Sequence, residues 1–224
     1  MEYTISSFRK IKYVIRYPDG YTSGEKCPVL IYLHGAGGRG ENIDVIRNHK
    51  VFLLTEKHEN FPFITVAPQC YANTWFDIFE QLQAFIKMIY ASDFCDRERV
   101  YLMGASMGGY GTWQMAMSLP ELFAAIVPIC GGGMYWNTPR LKDVPVWAFH
   151  GDSDPVVLPR ESERMVFRVK QCLGDAKLTL YENTEHDAWT PTFNNPEVFE
   201  WLLSNKKEAT VEITDGYDDV EKFG

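Results

Sequence analysis

The sequence predicts an α/β domain in which a mostly parallel central sheet is covered by helices on both faces. Strand-like and helix-like segments alternate along the 224 residues, with no internal repeat and no Pro/Ser-rich linker between them. Several strand-like segments are continuous apolar runs, which is typical of strands buried on both faces. We expect residues 1–205 to form one domain. Residues 206–224 form an acidic C-terminal tail that either frays or adds an edge strand at 210–213.

Individual elements follow from apolar patterning and from Gly or Pro boundaries. The first strand should belong to an antiparallel edge hairpin. Asp77 lies near the start of the first long helix, where a carboxylate suits the positive end of the helix dipole. The predicted strands are 10–17, 28–34, 63–67, 99–103, 124–129, 144–149 and 177–181. The predicted helices are 76–90, 110–119, 160–172 and 197–204.

Composition excludes several classes of function. The net charge is −8 and no basic run could follow a phosphate backbone, which argues against a nucleic-acid partner. Residues 1–10 contain no apolar segment of a signal peptide, and no run of eighteen apolar residues predicts a membrane span. The five cysteines are scattered and never in C-x-x-C spacing, so we expect reduced thiols in a cytoplasmic protein and no metal site built on them. We also expect no metal or organic cofactor. The oligomeric state stays open.

A candidate nucleophile follows the strand at 99–103. Residues 104–108 read Gly-Ala-Ser-Met-Gly and match G-x-S-x-G. This motif needs a sharp strand-to-helix turn, and its glycines relieve crowding against neighbouring backbone. Since a strand precedes the motif and a helix follows it, we predict that Ser106 is a catalytic nucleophile.

A glycine-rich loop, His34–Gly40, follows the strand at 28–34. Acyl transfer passes through an alkoxide that two backbone N–H groups stabilise. We expect one donor from Met107 and the other from Ala36, with Gly37 as the second choice. A phosphate-binding loop is the rival interpretation, but neither GK[ST] nor G-x-G-x-x-G spacing is present.

Two histidines follow Ser106 in the chain, and the general base should be one of them. His186 is the one that follows all candidate acids, and it lies after a predicted strand. We therefore predict that His186 is the base. His150 closes a strand and should make local hydrogen bonds.

The loop after that strand offers two candidate acids, Asp152 and Asp154. Asp154 lies farther along the loop and can turn back toward His186, where it would fix the ring tautomer and stabilise the imidazolium. Asp152 should instead cap the turn through backbone N–H groups. Asp154 is therefore the predicted acid.

Four aromatic residues lie on loops near the predicted carboxyl ends of strands and are candidates for the substrate pocket: Trp75, Phe76, Trp136 and Trp189. Aromatic walls bind aryl or acyl groups through apolar area. Trp75 and Trp189 are equally compatible with core positions. Trp189 should flank the base.

Five segments in this order resemble the small esterases of the dienelactone hydrolase, phospholipase/carboxylesterase and prolyl-oligopeptidase-like group. They are HGAGGRG, WFD, GASMGGYGTW, HGDSDPVV and EHDAW. The chain is also similar to feruloyl esterase and polyhydroxybutyrate-depolymerase-like domains. The resemblance covers residues from about 28 to 204, and it implies the α/β-hydrolase fold, a Ser106–Asp154–His186 triad and oxyanion donors at Ala36 and Met107.

Two features qualify what this resemblance implies. Dienelactone hydrolases proper use a cysteine nucleophile, so Ser106 favours ester over lactone chemistry. Between Ile129 and Val144 there is no room for a large cap domain. The expected function is a serine carboxylic ester hydrolase for small soluble esters, such as aryl, feruloyl or acetylated-sugar esters. The alternatives are a peptidase or amidase of the prolyl-oligopeptidase-like type and a binding protein without catalysis.

Overall fold

A computed structural model describes residues 3–208 and contains one eight-stranded sheet. The possible tail strand at 210–213 lies outside the described residues, as does most of the predicted tail. The strands are β1 Tyr3–Phe8, β2 Ile11–Arg16, β3 Cys27–Leu33, β4 Ile64–Pro68, β5 Cys95–Ala105, β6 Ala125–Ile129, β7 Val146–Gly151 and β8 Ala176–Tyr181.

The strand order is β1-β2-β4-β3-β5-β6-β7-β8, with β2 antiparallel to both of its neighbours and all later pairs parallel. The mostly parallel sheet and its antiparallel edge hairpin are as predicted. Strand β1 has no apolar run because it lies at the edge and alternates partly buried with exposed positions.

Residues 3–208 also contain seven α-helices, of which the last two follow β8: α1 Asp44–Arg47, α2 Lys50–Thr55, α3 Phe79–Ala91, α4 Met107–Ser118, α5 Arg160–Gln171, α6 Trp189–Asn194 and α7 Pro196–Ser204. Two 3₁₀ turns span Ala36–Gly38 and Tyr135–Leu141. Helix α3 begins later than predicted because the Asp77 carboxylate accepts a hydrogen bond from the Thr74 N–H (2.8 Å) within a preceding turn. None of the helices within residues 3–208 is long and apolar enough to span a bilayer.

The sheet separates two hydrophobic cores, so helices cover both faces as predicted. Strand β3 is buried throughout, and its side chains alternate between the two cores, with Ile31 on one face and Tyr32 on the other. Helices α3, α4 and α5 pack on the Ile31 face, and α2, α6 and α7 pack on the Tyr32 face.

The turn between β5 and α4 approaches the neighbouring backbone very closely. A Cβ atom at Gly108 would lie 1.9 Å from the carbonyl oxygen of Leu33, and one at Gly104 would lie 2.3 Å from the carbonyl oxygen of Gly108. A Cβ atom at Gly109 would lie 2.4 Å from the carbonyl oxygen of Ile129. Only glycine permits these contacts, which bring the start of α4 directly over the ends of β3 and β6.

We therefore predict that Gly108→Ala lowers the free energy of unfolding by about 3 kcal/mol, because the added methyl meets backbone that cannot move aside. Urea denaturation of the purified variant measures this loss. Gly37→Ala is the matched control, since no heavy atom lies within 4 Å of a Cβ placed at Gly37. Equal stabilities of the two variants would contradict the close approach.

Candidate active site

Three side chains from three loops form a hydrogen-bonded chain at the carboxyl edge of the sheet. His186 Nδ1 lies 2.6 Å from Asp154 Oδ2, and His186 Nε2 lies 2.8 Å from Ser106 Oγ. A carboxylate only accepts, so Nδ1 donates to Asp154, and Nε2 is placed to accept the serine hydroxyl. The ring is thus oriented to remove a proton from Ser106.

Ser106 occupies the turn between β5 and α4 in a left-handed conformation, with φ 57° and ψ −119°. Its N–H donates to the carbonyl of Ile129 (2.9 Å), and its own carbonyl accepts from the N–H of Tyr110 (3.0 Å). These two bonds hold the turn against β6 and within α4. The side chain therefore projects above the edge of the sheet, as G-x-S-x-G predicts.

The Asp154 carboxylate is buried at the end of the loop after β7. Its Oδ1 accepts from the N–H groups of Val156 (2.8 Å) and Val157 (3.0 Å). Burial alone would raise the pKa of Asp154, but hydrogen bonds from His186, Val157 and Val156 together hold that pKa below its usual value. The carboxylate is therefore ionised and fixed in place.

The expectation that Asp152 caps this turn is wrong. Asp152 is exposed, and its carboxylate accepts from the hydroxyl of Ser153 (2.8 Å). Asp154 instead binds the backbone N–H groups as well as His186, because its two oxygens face opposite sides of the turn.

His150 makes local hydrogen bonds, as expected of a buried residue at a strand end. Its Nε2 donates to the carbonyl of Val157 (2.8 Å), and its Nδ1 lies 2.7 Å from Ser162 Oγ. Burial lowers its pKa, and the carbonyl of Val157 and the carboxylate of Asp154 oppose that shift. Its Nε2 also lies 3.3 Å from Asp154 Oδ2, the same carboxylate oxygen that His186 contacts.

The loop after β8 is anchored next to His186. The carboxylate of Asp187 accepts from Lys50 Nζ (2.6 Å) on α2 and from the N–H of Thr190 (3.1 Å) on α6. The ring of Trp189 stands edge-on to that of His186, with centroids 5.3 Å apart. Trp189 therefore flanks the base, as the sequence predicts.

The proposed oxyanion donors, Ala36 and Met107, each begin a helical turn. Met107 is the first residue of α4 and Ala36 is the first of a 3₁₀ turn, so neither N–H has an acceptor within its own helix. A Cβ atom at Gly35 would lie 3.3 Å from Ser106 Cβ, which places the glycine loop directly against the serine. Gly37 follows within the same turn. Their role as donors remains a prediction.

His34 holds this loop in place, a role that sequence reasoning did not assign. Its Nδ1 donates to the carbonyl of Gly35 (2.6 Å), and its Nε2 accepts from the N–H of Cys70 (2.9 Å). The Gly35 carbonyl and the Ala36 N–H belong to one peptide plane, so fixing the first also orients the second. Burial lowers the pKa of His34 to about 4, and the ring stays neutral.

Trp75 is not a pocket residue. It is buried, its Nε1 donates to the carbonyl of His34 (3.0 Å), and its ring lies 4.8 Å from the imidazole of His34. Trp75 therefore packs behind the glycine loop. Trp75 thus occupies a core position, which is one of the two positions that the sequence left open for it.

A cavity of about 540 Å³ opens beside Ser106 and His186. The glycine loop at 35–38 forms one side, and Trp189 and Val156 contribute apolar surface near the base. This volume suits a small organic group.

Two further pocket predictions are wrong for this cavity. Phe76 and Trp136 are exposed and are not part of its lining. Phe76 belongs to the turn before α3, and Trp136 lies in the 3₁₀ turn at 135–141 on the surface.

Another part of the cavity lining was missed by sequence reasoning. It consists of Val45 and Asn48 near α1, and of His49 and Lys50 at the start of α2. These helices have four and six residues, too short to give a clear helical period. The available signal was His49 followed by an apolar run, because the His49 side chain caps α2 by accepting from the N–H of Val51 (3.2 Å).

Within residues 3–208, one group of potential metal ligands occurs: Cys130, Asp154 and His186, whose ligand atoms lie within 4.8 Å of one another. His186 and Asp154 already bind each other, and His186 binds Ser106. A metal would have to displace these hydrogen bonds.

The sequence matches the prolyl oligopeptidase family over residues 69–138, which include Ser106. Among solved structures, a thermostable esterase is 33% identical with a TM-score of 0.81, covering 92% of this chain and 63% of that one. Est1E from Butyrivibrio proteoclasticus is 17% identical with a TM-score of 0.67, covering 87% of this chain and 93% of that one, and supports the fold alone.

Among curated sequences, a probable feruloyl esterase C of Aspergillus niger is 25% identical over 150 residues, which cover 65% of this chain and 56% of that protein. A bifunctional acetylxylan esterase/xylanase of Neocallimastix patriciarum is 34% identical over 62 residues, covering 28% of this chain and 9% of that protein. The chain thus matches only part of each of these relatives. These comparisons confirm the α/β-hydrolase fold and the resemblance to esterases of that fold.

The buried neutral state of His34 has a measurable consequence for stability. Its pKa is about 4 in the folded protein, against an ordinary value of 6.5. The unfolded chain takes up a proton that the folded protein does not as pH falls from about 6.5 toward 4. The stability that His34 contributes is therefore present above pH 6.5 and is lost over this interval.

We predict that His34→Gln reduces the pH dependence of the free energy of unfolding between pH 6.5 and 4 by up to about 1.4 kcal/mol per pH unit. Urea denaturation at a series of pH values measures this slope, which a uniform loss of stability does not alter. An unchanged slope would mean that His34 titrates alike in the folded and unfolded states.

Proposed function

We propose that this protein is a serine carboxylic ester hydrolase that works through an acyl-enzyme. The observation that carries the proposal is the continuous hydrogen-bonded chain from Ser106 through His186 to the buried carboxylate of Asp154. This arrangement pairs a nucleophile with a base and pairs the base with an orienting acid. The similarity to esterases supports the same conclusion.

In the acylation step, Ser106 Oγ attacks the ester carbonyl carbon while its proton passes to His186 Nε2. Asp154 stabilises the resulting imidazolium through Nδ1 and keeps its own charge. Collapse of the tetrahedral intermediate breaks the carbon–oxygen bond, and the Nε2 proton leaves with the alcohol. Water then attacks the acyl-enzyme by the same route, which releases the acid and restores Ser106.

The tetrahedral intermediate carries a negative oxygen, and we assign its stabilisation to the N–H groups of Ala36 and Met107, with Gly37 as an alternative donor. Each N–H begins a helical turn and lacks an acceptor within it. The hydrogen bond from His34 to Gly35 keeps the Ala36 peptide oriented before substrate arrives. This preorganisation lowers the cost of reaching the charged state.

The proposed substrates are small esters, including aryl, feruloyl or acetylated-sugar esters. The connection from β6 to β7 holds a single 3₁₀ turn at 135–141 in place of a cap domain, so the cavity stays accessible. Trp189 gives one wall an aromatic face. Relatives named as feruloyl and acetylxylan esterases support this range of substrates.

The match to the prolyl oligopeptidase family favours a peptidase as the second candidate. The same three side chains cleave amides in principle, since the proton transfers are alike. A binding protein without catalysis is less well supported, because Ser106, His186 and Asp154 are all present and correctly spaced.

We include a cytoplasmic location, a single domain at 1–205 and the absence of nucleic-acid and membrane partners in the proposal. The cytoplasmic location is supported by the five cysteines, all of which are free and four of which are buried. Free buried thiols are what we expect of a chain that folds in a reducing compartment.

The central test is covalent labelling by a fluorophosphonate, which phosphonylates an activated serine. The wild type should be labelled at Ser106, and Ser106→Ala should not be. Hydrolysis of p-nitrophenyl acetate should fall roughly 10⁴-fold or more in both Ser106→Ala and His186→Ala, because either change removes the nucleophile–base pair.

Two matched controls separate chemistry from folding. Ser118→Ala removes a half-buried serine from α4, and His58→Ala removes a half-buried histidine near α2. Both should keep labelling and turnover. A wild type that resists the fluorophosphonate would refute the proposal.

Ester and amide substrates with the same acyl group distinguish the two candidate enzymes. We predict that kcat/KM for p-nitrophenyl acetate exceeds that for p-nitroacetanilide by at least about 10³-fold, and that short peptide anilides are not cleaved. A release of p-nitroaniline comparable to that of p-nitrophenol would favour the peptidase instead.

A further inference from the structure

Tyr32 lines the cavity beside Ser106, and its hydroxyl is buried. Among residues 3–208, that oxygen has no hydrogen-bond partner. A phenolic hydroxyl can donate one hydrogen bond and accept others, and buried polar groups are rarely left without any. A bound molecule that reaches this hydroxyl from the cavity could therefore supply the missing hydrogen bond.

The hydroxyl remains protonated, so it is available as a donor. Burial raises the pKa of Tyr32 well above its ordinary value of 10, and the nearby Cys130 thiol and Asp187 carboxylate raise it further. Asp187 directly follows His186. Tyr32 and His186 line the same cavity.

A second neutral donor lies next to it. The rings of Tyr32 and His49 are 5.1 Å apart, and both residues line the cavity. His49 Nδ1 accepts from the N–H of Val51, so the proton of the neutral ring is on Nε2. Burial, aided by the charge of Lys50, lowers the pKa of His49 to about 4, and the ring is therefore uncharged.

The charges at this wall are already paired. Lys50 Nζ lies 2.6 Å from Asp187 Oδ2 and 2.9 Å from Thr190 Oγ1. Lys50 is thus committed to Asp187, and a carboxylate in the cavity would face the charge of Asp187 without a free cation from Lys50. This arrangement favours an uncharged oxygen over an anionic one.

We propose that Tyr32, assisted by His49, is a specificity-determining residue that binds a neutral hydroxyl or ether oxygen on the substrate. The inference rests on the proposed function, since it assigns this cavity to part of the ester. An ester without such an oxygen leaves the Tyr32 hydroxyl unsatisfied, and one that carries it at the right distance forms the missing hydrogen bond.

The test measures binding and does not depend on turnover. Calorimetry on Ser106→Ala compares esters that differ by one ring hydroxyl at the meta or para position. The acyl-side pairs are methyl cinnamate and methyl benzoate with their hydroxylated forms. The alcohol-side pair is phenyl acetate with its hydroxylated form. We expect at least one hydroxylated ester to bind about tenfold more tightly than its parent, and Tyr32→Phe in the same background to abolish that preference.

Tyr101→Phe is the matched control, because Tyr101 is also buried on a central strand but its hydroxyl donates to the carbonyl of Asn205 (2.8 Å), away from the cavity. It should lower the midpoint of thermal unfolding and keep the hydroxyl preference. Tyr32→Phe should leave that midpoint unchanged or raise it, because it removes an unpartnered hydroxyl.

Two results would overturn this assignment: no preference for any hydroxylated ester, or a preference that survives Tyr32→Phe. Failure of the ester hydrolase proposal would give a different result. The wild type would then resist labelling by the fluorophosphonate, whichever esters Ser106→Ala binds. If Ser106→Ala prefers a hydroxylated ester but the wild type is not labelled, the binding role of Tyr32 is supported and the ester hydrolase activity is refuted.

Discussion

The backbone of Ser106 is the constraint on which the site depends. Its left-handed φ of 57° is unfavourable for a residue with a side chain and costs of the order of 1–3 kcal/mol. The conformation persists because Gly104, Gly108 and Gly109 let the turn pack directly against strand backbone, where larger residues would collide. The same close approach sets the first N–H of α4 beside the serine side chain. The strained backbone, the proposed nucleophile and one proposed oxyanion donor thus all belong to one turn.

The proposed acid and base, Asp154 and His186, are held by a comparable contact between loops. A Cβ atom at Gly151 would lie 2.1 Å from the carbonyl oxygen of Glu185, so the end of β7 and the loop after β8 touch through backbone. Ser153 N–H also donates to the carbonyl of Thr184 (3.1 Å). Since these contacts fix the two loops relative to each other, the separation of Asp154 and His186 is set by backbone packing before their side chains meet.

The sequence was sufficient to predict the parallel sheet and the residues that meet at its edge, because both follow from local rules. Apolar runs mark buried strands, and Ser106 and His186 follow such runs. Side-chain direction was less predictable. Trp75 follows a strand as a pocket residue would, yet it turns inward because the His34 carbonyl offers a buried acceptor. From the sequence, Asp152 and Asp154 are two carboxylates on one loop. Only the conformation of that loop decides that Asp154 reaches two backbone N–H groups and His186 together.

The fold also sorts its histidines by environment. Burial lowers the pKa of His34, His49 and His150. Each of these rings is hydrogen-bonded to nearby backbone. His186 differs in two respects: its side chain is 20% exposed, and a carboxylate lies 2.6 Å from its Nδ1. An imidazolium formed there during proton transfer would keep some solvation and a compensating charge, which the other three sites offer only in part. The proposed choice of His186 as base therefore rests on where the protein can accommodate a transient positive charge, as well as on which histidine reaches Ser106.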